Sequence, residues 1–167
     1  MQIRRLGPDD AQAYRALRLR ALKESPQAFT SSFGEEDKQP VEKSRARLAA
    51  DNTMFWGACE GAQLCGMVGL ERETREKARH KATVVGMYVA PENAGAGVGR
   101  GLVDALLAHA RDAGLELLVL TVTEGNAAAT RLYEAAGFRS FGIEPRAIKV
   151  DGRPFDKNHM YLDLTAS

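Results

Sequence analysis

Apolar positions along this chain follow two periods, and the switches between them mark its elements. A short strand is expected from Gln2 to Leu6. A helix opened by Pro8-Asp9-Asp10 follows to about Glu24, with Tyr14, Leu17 and Ala21 spaced to share a face. The interleaved Arg15, Arg18, Arg20 and Lys23 read as its solvated face. Ser25 to Gln39 has no period and is expected to be an irregular loop, and Pro40 begins a second short helix to about Ala50. Thr53 to Cys59, Leu64 to Arg72 and Ala82 to Val89 read as strands, the first two joined as a hairpin through Glu60-Gly61-Ala62-Gln63. The helical period returns from about Gly97 to Ala113, with Val98, Leu102, Leu106 and Ala110 on one face and Gly114 as the stop. Leu115 to Thr123 is nearly all apolar, the pattern of a central strand covered on both faces. A helix from about Ala127 to Ala136 stops at Gly137. Phe138 to Glu144 is the next strand, and a last ribbon turns at Asp151-Gly152.

Antiparallel strands that lead into one strand-helix-strand crossover predict an α/β (α+β) fold. Its expected core is a mixed, mostly antiparallel sheet of about seven strands with helices on both faces. A length of 167 residues predicts a single domain, 1–167, with a substantial core. The formal net charge of +1 argues against a nucleic-acid partner. No apolar run is long enough to cross a bilayer and the first residues lack a signal-peptide core, so a soluble, cytoplasmic chain with no membrane partner is expected. Cys59 and Cys65 read as core fillers. His80, His109 and His159 are too dispersed to suggest a metal site.

Candidate chemistry concentrates between Val84 and Leu102, VVGMYVAPENAGAGVGRGL. A β-branched strand breaks at Pro91, passes Gly95, Gly97 and Gly99, and turns into a helix. Glycines there let the backbone approach a ligand, and the helix N-terminus offers free N–H groups suited to a phosphate. A nucleotide-hydrolysing loop needs Gly-Lys-Ser/Thr, and Gly99-Arg100-Gly101 stands in that place. A dinucleotide fingerprint needs glycines at relative positions 0, 2 and 5; starting from Gly95 or Gly97 the last falls on Arg100 or Leu102. Glu124 at the end of the next strand keeps a dinucleotide-dependent oxidoreductase open as a minor alternative.

Val89-Ala90-Pro91, then Gly95, Gly97-Val98-Gly99 and Leu102, resembles the acetyl-CoA signature of the GCN5-related N-acetyltransferases. Asn126, Ala129, Leu132-Tyr133-Glu134 and Gly137-Phe138 match the second half of that signature. The resemblance covers about residues 84 to 139. It implies the acyl-CoA N-acyltransferase type of fold, acetyl-CoA as co-substrate, no metal, and direct acetyl transfer to a primary amine of a small molecule or a peptide amino terminus. It implies contacts to acetyl-CoA from Met87, Tyr88, Val89, Ala94, Gly95, Ala96, Gly97, Val98, Gly99, Arg100, Asn126 and Tyr133. The family usually carries Arg or Gln where this chain has Ala94, and Arg100 is placed to replace that contact. Family members often pair through late strands, so a homodimer is possible. A non-catalytic acetyl-CoA sensor is the other alternative.

Transfer to an amine makes three demands. The amine must be neutral, although an alkylamine ionises near ~10.4; the oxyanion needs a donor; and the leaving thiolate benefits from a proton. A backbone bulge at Met87, Tyr88 and Val89, with Gly86 before it, answers the second demand by resemblance, and Tyr133 answers the third. Asn126 and Tyr133 are seven residues apart, two helical turns and ~10 Å along the axis, so one ligand arm reaches both. Asn126 is equally a helix N-cap. Glu71, with Glu73 on the same strand face, is the candidate base acting through water. For the acceptor, Phe29, Phe33 and Phe155 are candidates for an apolar wall. Glu36, between Glu35 and Asp37, is the candidate acid for attracting a cation.

Overall fold

The computed structural model describes residues 1–166. Its strands are β1 (Gln2–Arg5), β2 (Thr53–Glu60), β3 (Gln63–Arg72), β4 (Lys81–Val89), β5 (Leu117–Thr123), β6 (Arg139–Val150) and β7 (Arg153–Asp163). They form one seven-stranded sheet in the order β1-β2-β3-β4-β5-β7-β6. Only β4 and β5 are parallel, as the single helical crossover between them requires. That helix is α4 (Val98–Asp112). The others are α1 (Ala11–Glu24), α2 (Phe33–Asp37), α3 (Val41–Ala49) and α5 (Ala127–Ala135).

Two adjacent residues of β2 show how the layers form. Successive strand side chains point to opposite faces, so Phe55 meets α1 and Trp56 meets α4. Tyr14 packs edge-on to Phe55 at 5.0 Å between ring centroids, and His109 lies 5.3 Å from Trp56. Because both faces are covered, β2 and β3 are buried almost without a break. The expectation that β5 is covered in the same way is corrected. Its burial alternates, with Leu118, Leu120 and Val122 buried and Thr121 exposed, because one face of its far end fronts a cleft.

Two further expectations change. Ser25 to Gln39 is not wholly irregular: a 3-10 turn spans Pro26–Ala28, and α2 follows. Ser32 caps α2, its hydroxyl oxygen accepting from the Glu35 N–H at 3.1 Å while its O–H donates to the Glu35 carboxylate at 2.9 Å. Ser32-x-x-Glu35 is a capping signature too brief to carry a helical period. The strand expected to end at Glu144 continues to Val150, with a register shift between Glu144 and Ile148. Arg146 takes φ +46 in that bulge, and its N–H donates to the Asp156 carboxylate at 2.8 Å. Cys59 and Cys65 are free and buried.

Candidate active site

The sheet opens in its middle. β4 and β5 pair only at Lys81–Leu117, Ala82–Leu118 and Thr83–Val119. Beyond Thr83, β4 stays with β3, and β5 pairs with β7 along its whole length. The split coincides with a bulge in β4. Met67 pairs with Tyr88 and Gly69 with Val85, so Gly86 and Met87 stand opposite Val68 alone. Gly86 takes φ +64, and a Cβ there would lie 3.1 Å from the Phe55 ring and 3.8 Å from Arg18 Nη1. Glycine therefore meets both the backbone conformation and the lack of room. The bulge turns the β4 backbone toward a cavity of about 280 Å³, lined among others by Gly86, Met87, Thr121, Asn126 and Tyr133.

Past the bulge, β4 leads into its junction with α4. After Pro91 the chain makes a 3-10 turn, and Gly95 and Gly97 both adopt φ +78 with open space where a Cβ would point. Gly97 is the N-cap of α4 and provides no side-chain cap, so the first amides of that helix have no side-chain partner. This cradle fits a diphosphate held by N–H groups. Gly99 has another role, since a Cβ there would come 3.3 Å from Leu132 on α5. The lack of a side chain lets α5 lie against α4.

Asn126 caps α5, its side-chain oxygen accepting from the Ala129 N–H at 3.2 Å. It also lines the cavity, so both readings of this residue apply. Tyr133 is 5% exposed, packs edge-on to Phe138 at 5.6 Å, and its hydroxyl has no hydrogen-bond partner among the described residues. Burial pushes this phenol well above its ordinary value of 10.0. It therefore keeps its proton at any working pH and stands ready as a hydrogen-bond donor.

The opposite wall comes from α1 and the turn after it. Arg18 was expected on a solvated face, yet its side chain is only 13% exposed. Its Nε and Nη2 donate to the Glu36 carboxylate at 3.1 and 2.9 Å, and its guanidinium lies 5.0 Å from the Phe29 ring centre. Burial opposes ionisation of Glu36, but Arg18 outweighs it and holds the carboxyl below the usual range. Glu36 is therefore occupied, not a free acid at an open mouth. Spacing carried a signal for Arg18, which follows the buried Tyr14 by four residues and so shares its face. Lys157 on β7 also lines the cavity and was not anticipated. It donates to the Thr30 hydroxyl at 2.6 Å.

The remaining expected residues divide. Phe29 lines the cavity, whereas Phe33 packs on the core under Lys23 and Phe155 lies beneath Arg153. Glu71 accepts from Arg47 at 2.9 Å and does not line the cavity. Val89 is half-buried, and Val98, the first residue of α4, is packed into the core. Ala94 and Ala96 lie exposed in the glycine loop. Arg100 is exposed and bonded to Asp104 at 3.0 Å, one turn along α4. Tyr88 points its hydroxyl away from the cavity and donates to Glu24 at 2.6 Å. Burial and that bond push its phenol up to about 12. Arg20 joins this group by bonding Glu24 at 2.9 Å and both Glu92 oxygens at 2.7 Å, which draws Glu92 down to about 2. A polar clamp thus ties the end of α1 to the turn that precedes the glycine cradle.

No helix is long and apolar enough to cross a membrane, and no cluster of three or more His, Cys, Asp or Glu is placed to hold a metal, both among the described residues.

The fold is shared with yncA of Salmonella typhimurium, solved with its cofactor acetyl-CoA. The TM-score is 0.88 at 23% identity, covering 100% of this chain and 95% of that one. A GNAT-family acetyltransferase from Streptococcus pneumoniae superposes with a TM-score of 0.85 at 24% identity, over 98% and 99% of the two chains. In sequence, the chain is 34% identical over 139 residues to mycothiol acetyltransferase of Thermobispora bispora, covering 81% of this chain and 45% of that protein. It is 31% identical over 121 residues to the N-alpha-acetyltransferase RimI of Mycobacterium tuberculosis, covering 72% and 73% of the two. The chain thus spans under half the length of the first of these relatives. Residues 19–138 match the acetyltransferase (GNAT) family, a stretch holding both the glycine cradle and Tyr133, and the chain belongs to that family.

Proposed function

We propose that this chain is an N-acetyltransferase that moves the acetyl group of acetyl-CoA directly to a primary amine. The observation that carries the proposal is one cavity shared by the Gly86–Met87 bulge, Asn126 and the unpartnered phenol of Tyr133, beside the Gly95–Gly97 cradle. In the reaction a C–N bond forms and the C–S bond breaks, the amine loses a proton to water and the departing thiolate takes one from water. Free amides of β4 past Thr83 face the opening and suit the oxyanion. Tyr133 steadies the thiolate by hydrogen bonding. Complete transfer from so elevated a phenol to a thiol that ionises near ~8.5 is uphill. Glu71 is occupied by Arg47, so the amine's proton leaves to water through the cavity mouth.

The residues expected to contact acetyl-CoA keep that role here, chiefly through backbone for Met87, Val89, Ala94, Gly95, Ala96, Gly97, Val98 and Gly99. Tyr88 contributes by holding the turn. Residues 1–167 act as one domain in the cytoplasm, and a homodimer through β6, where Phe141 and Ile143 are exposed, is part of the same proposal. The relatives' names include a mycothiol acetyltransferase, an N-alpha-acetyltransferase and an L-amino acid N-acyltransferase.

Thermal shift with acetyl-CoA, followed by thiol release with an amine panel, tests the assignment. Stabilisation by acetyl-CoA and amine-dependent thiol release are expected. Stabilisation without thiol release from any amine would leave the sensor alternative standing.

A further inference from the structure

The charge of the transfer cavity limits what enters it. Among the described residues no carboxylate lines this cavity, while two cations do, Arg18 and Lys157. Neither is fully used. Arg18 spends Nε and Nη2 on Glu36 and has no protein partner at Nη1, the nitrogen 3.8 Å from the Cβ position of Gly86. Lys157 spends one proton on Thr30 and forms no ion pair among the described residues. Of the acids in neighbouring segments, Glu36 pairs with Arg18 itself, Asp156 accepts from the Arg146 N–H, Glu144 bonds His159 at 2.8 Å, and Glu124 is exposed beyond Thr123. An ammonium arriving without a counter-charge meets Lys157 and an Arg18 already balanced by Glu36, with no carboxylate in the lining to receive it.

Two hydrogen bonds also fix one border of the cavity. The Thr123 hydroxyl donates to the Gln27 carbonyl at 2.7 Å, and Lys157 holds Thr30 at 2.6 Å. These two bonds pin the segment after α1 across β5 and β7, forming a roof over the cavity. A small acceptor fits beneath it, whereas a polypeptide would have to displace it.

Resting on the N-acetyltransferase assignment, we propose that the acceptor is a free amino acid whose carboxylate is held by Arg18 Nη1 and Lys157 Nζ, leaving its amine beside the Gly86 bulge. A guanidinium and an ammonium converging on one carboxylate give charge-assisted hydrogen bonds that a neutral amide does not replace. The two cations therefore act as specificity determinants.

The test is thiol release from acetyl-CoA with the common L-amino acids, their carboxamides, spermidine and a short peptide with a free amino terminus. The best amino acid is expected to exceed its own carboxamide by about tenfold or more in kcat/KM, since Arg18, largely covered, and Lys157, half-buried, lose their partner in the amide. Lys157→Met should bring that ratio to within about threefold by raising KM for the acid, while Lys157→Arg, which keeps the charge, should retain most of it. Lys149→Met, on the exposed part of β6, should leave the ratio unchanged. Equal use of acid and carboxamide, an unchanged ratio in Lys157→Met, or acetylation of spermidine or peptide without any amino acid would overturn the inference while leaving the N-acetyltransferase assignment intact. Thiol release from no amine at all would overturn both. A thermal shift with acetyl-CoA on each variant checks that it is folded.

Discussion

Arg18 holds Glu36 with two of its nitrogens and turns the third toward Gly86, 3.8 Å from where a Cβ would stand. The same guanidinium therefore links α1 to α2 and faces the strand bulge where the sheet opens.

Glu36 makes this link sensitive to acid. Its carboxyl is held below the usual range in the folded state, so its contribution is complete above the unfolded value near ~4.3 and is lost as pH falls through the folded one. Thermal unfolding followed from about pH 6 to pH 3 should show a smaller loss of stability for Glu36→Gln than for the parent. Parallel curves would mean the ion pair is too solvated to matter.

Gly86→Ala tests the bulge. The left-handed backbone costs a residue with a Cβ about 1–2 kcal/mol, and the new methyl group crowds Phe55 at 3.1 Å. The midpoint should drop by roughly 2–8 °C for a domain of this size, with a marked loss of kcat. A variant that keeps both would show that the bulge tolerates a side chain.

Tyr133→Phe removes a hydroxyl that has no protein partner, so stability should change little. Turnover should fall by about 10²–10³-fold through loss of the hydrogen bond to the leaving thiolate, with acetyl-CoA affinity within about twofold of the parent. Full turnover would remove the phenol from the chemistry.

Arg20→Ala cuts the clamp between α1 and the turn before the glycine cradle. KM for acetyl-CoA should rise about threefold or more while the midpoint barely moves, because these charges are solvent-exposed. Added salt should narrow the difference, since it screens the pair in the parent as well. A salt-independent difference would point to lost packing.

Arg100→Ala addresses the position opposite Ala94. Arg100 lies exposed on the first turn of α4 with Asp104 as its partner. A several-fold rise in acetyl-CoA KM is expected if Arg100 swings to the diphosphate. An unchanged KM would assign it to the helix surface.

The glycine loop and the helix carrying Tyr133 are legible in the sequence because their geometry is local. Gly95 and Gly97 lie two residues apart at one strand-to-helix junction, and Asn126 and Tyr133 ride one short helix at a fixed spacing. Neither arrangement depends on residues far away in the chain. The acceptor side was misread for the opposite reason. Arg18, Phe29, Thr121 and Lys157 come from four separate segments, and composition gives no measure of which charges will meet. Glu36, between two acids in the sequence, is held in the fold by Arg18, eighteen residues earlier. Likewise β5 appeared covered on both faces because apolarity reports a tendency to burial, not the place where a neighbouring strand departs.

Apart from the short helix at Phe33–Asp37, element types, their order and the phosphate-suited loop follow from the residues alone, because backbone conformation and helical or strand periodicity act over a few residues. The split between β4 and β5, the pairing of Arg18 with Glu36 and the cationic lining of the cavity arose only on folding. They depend on contacts between distant segments, whose strength is set by distance and burial, and neither is written in the order of the amino acids.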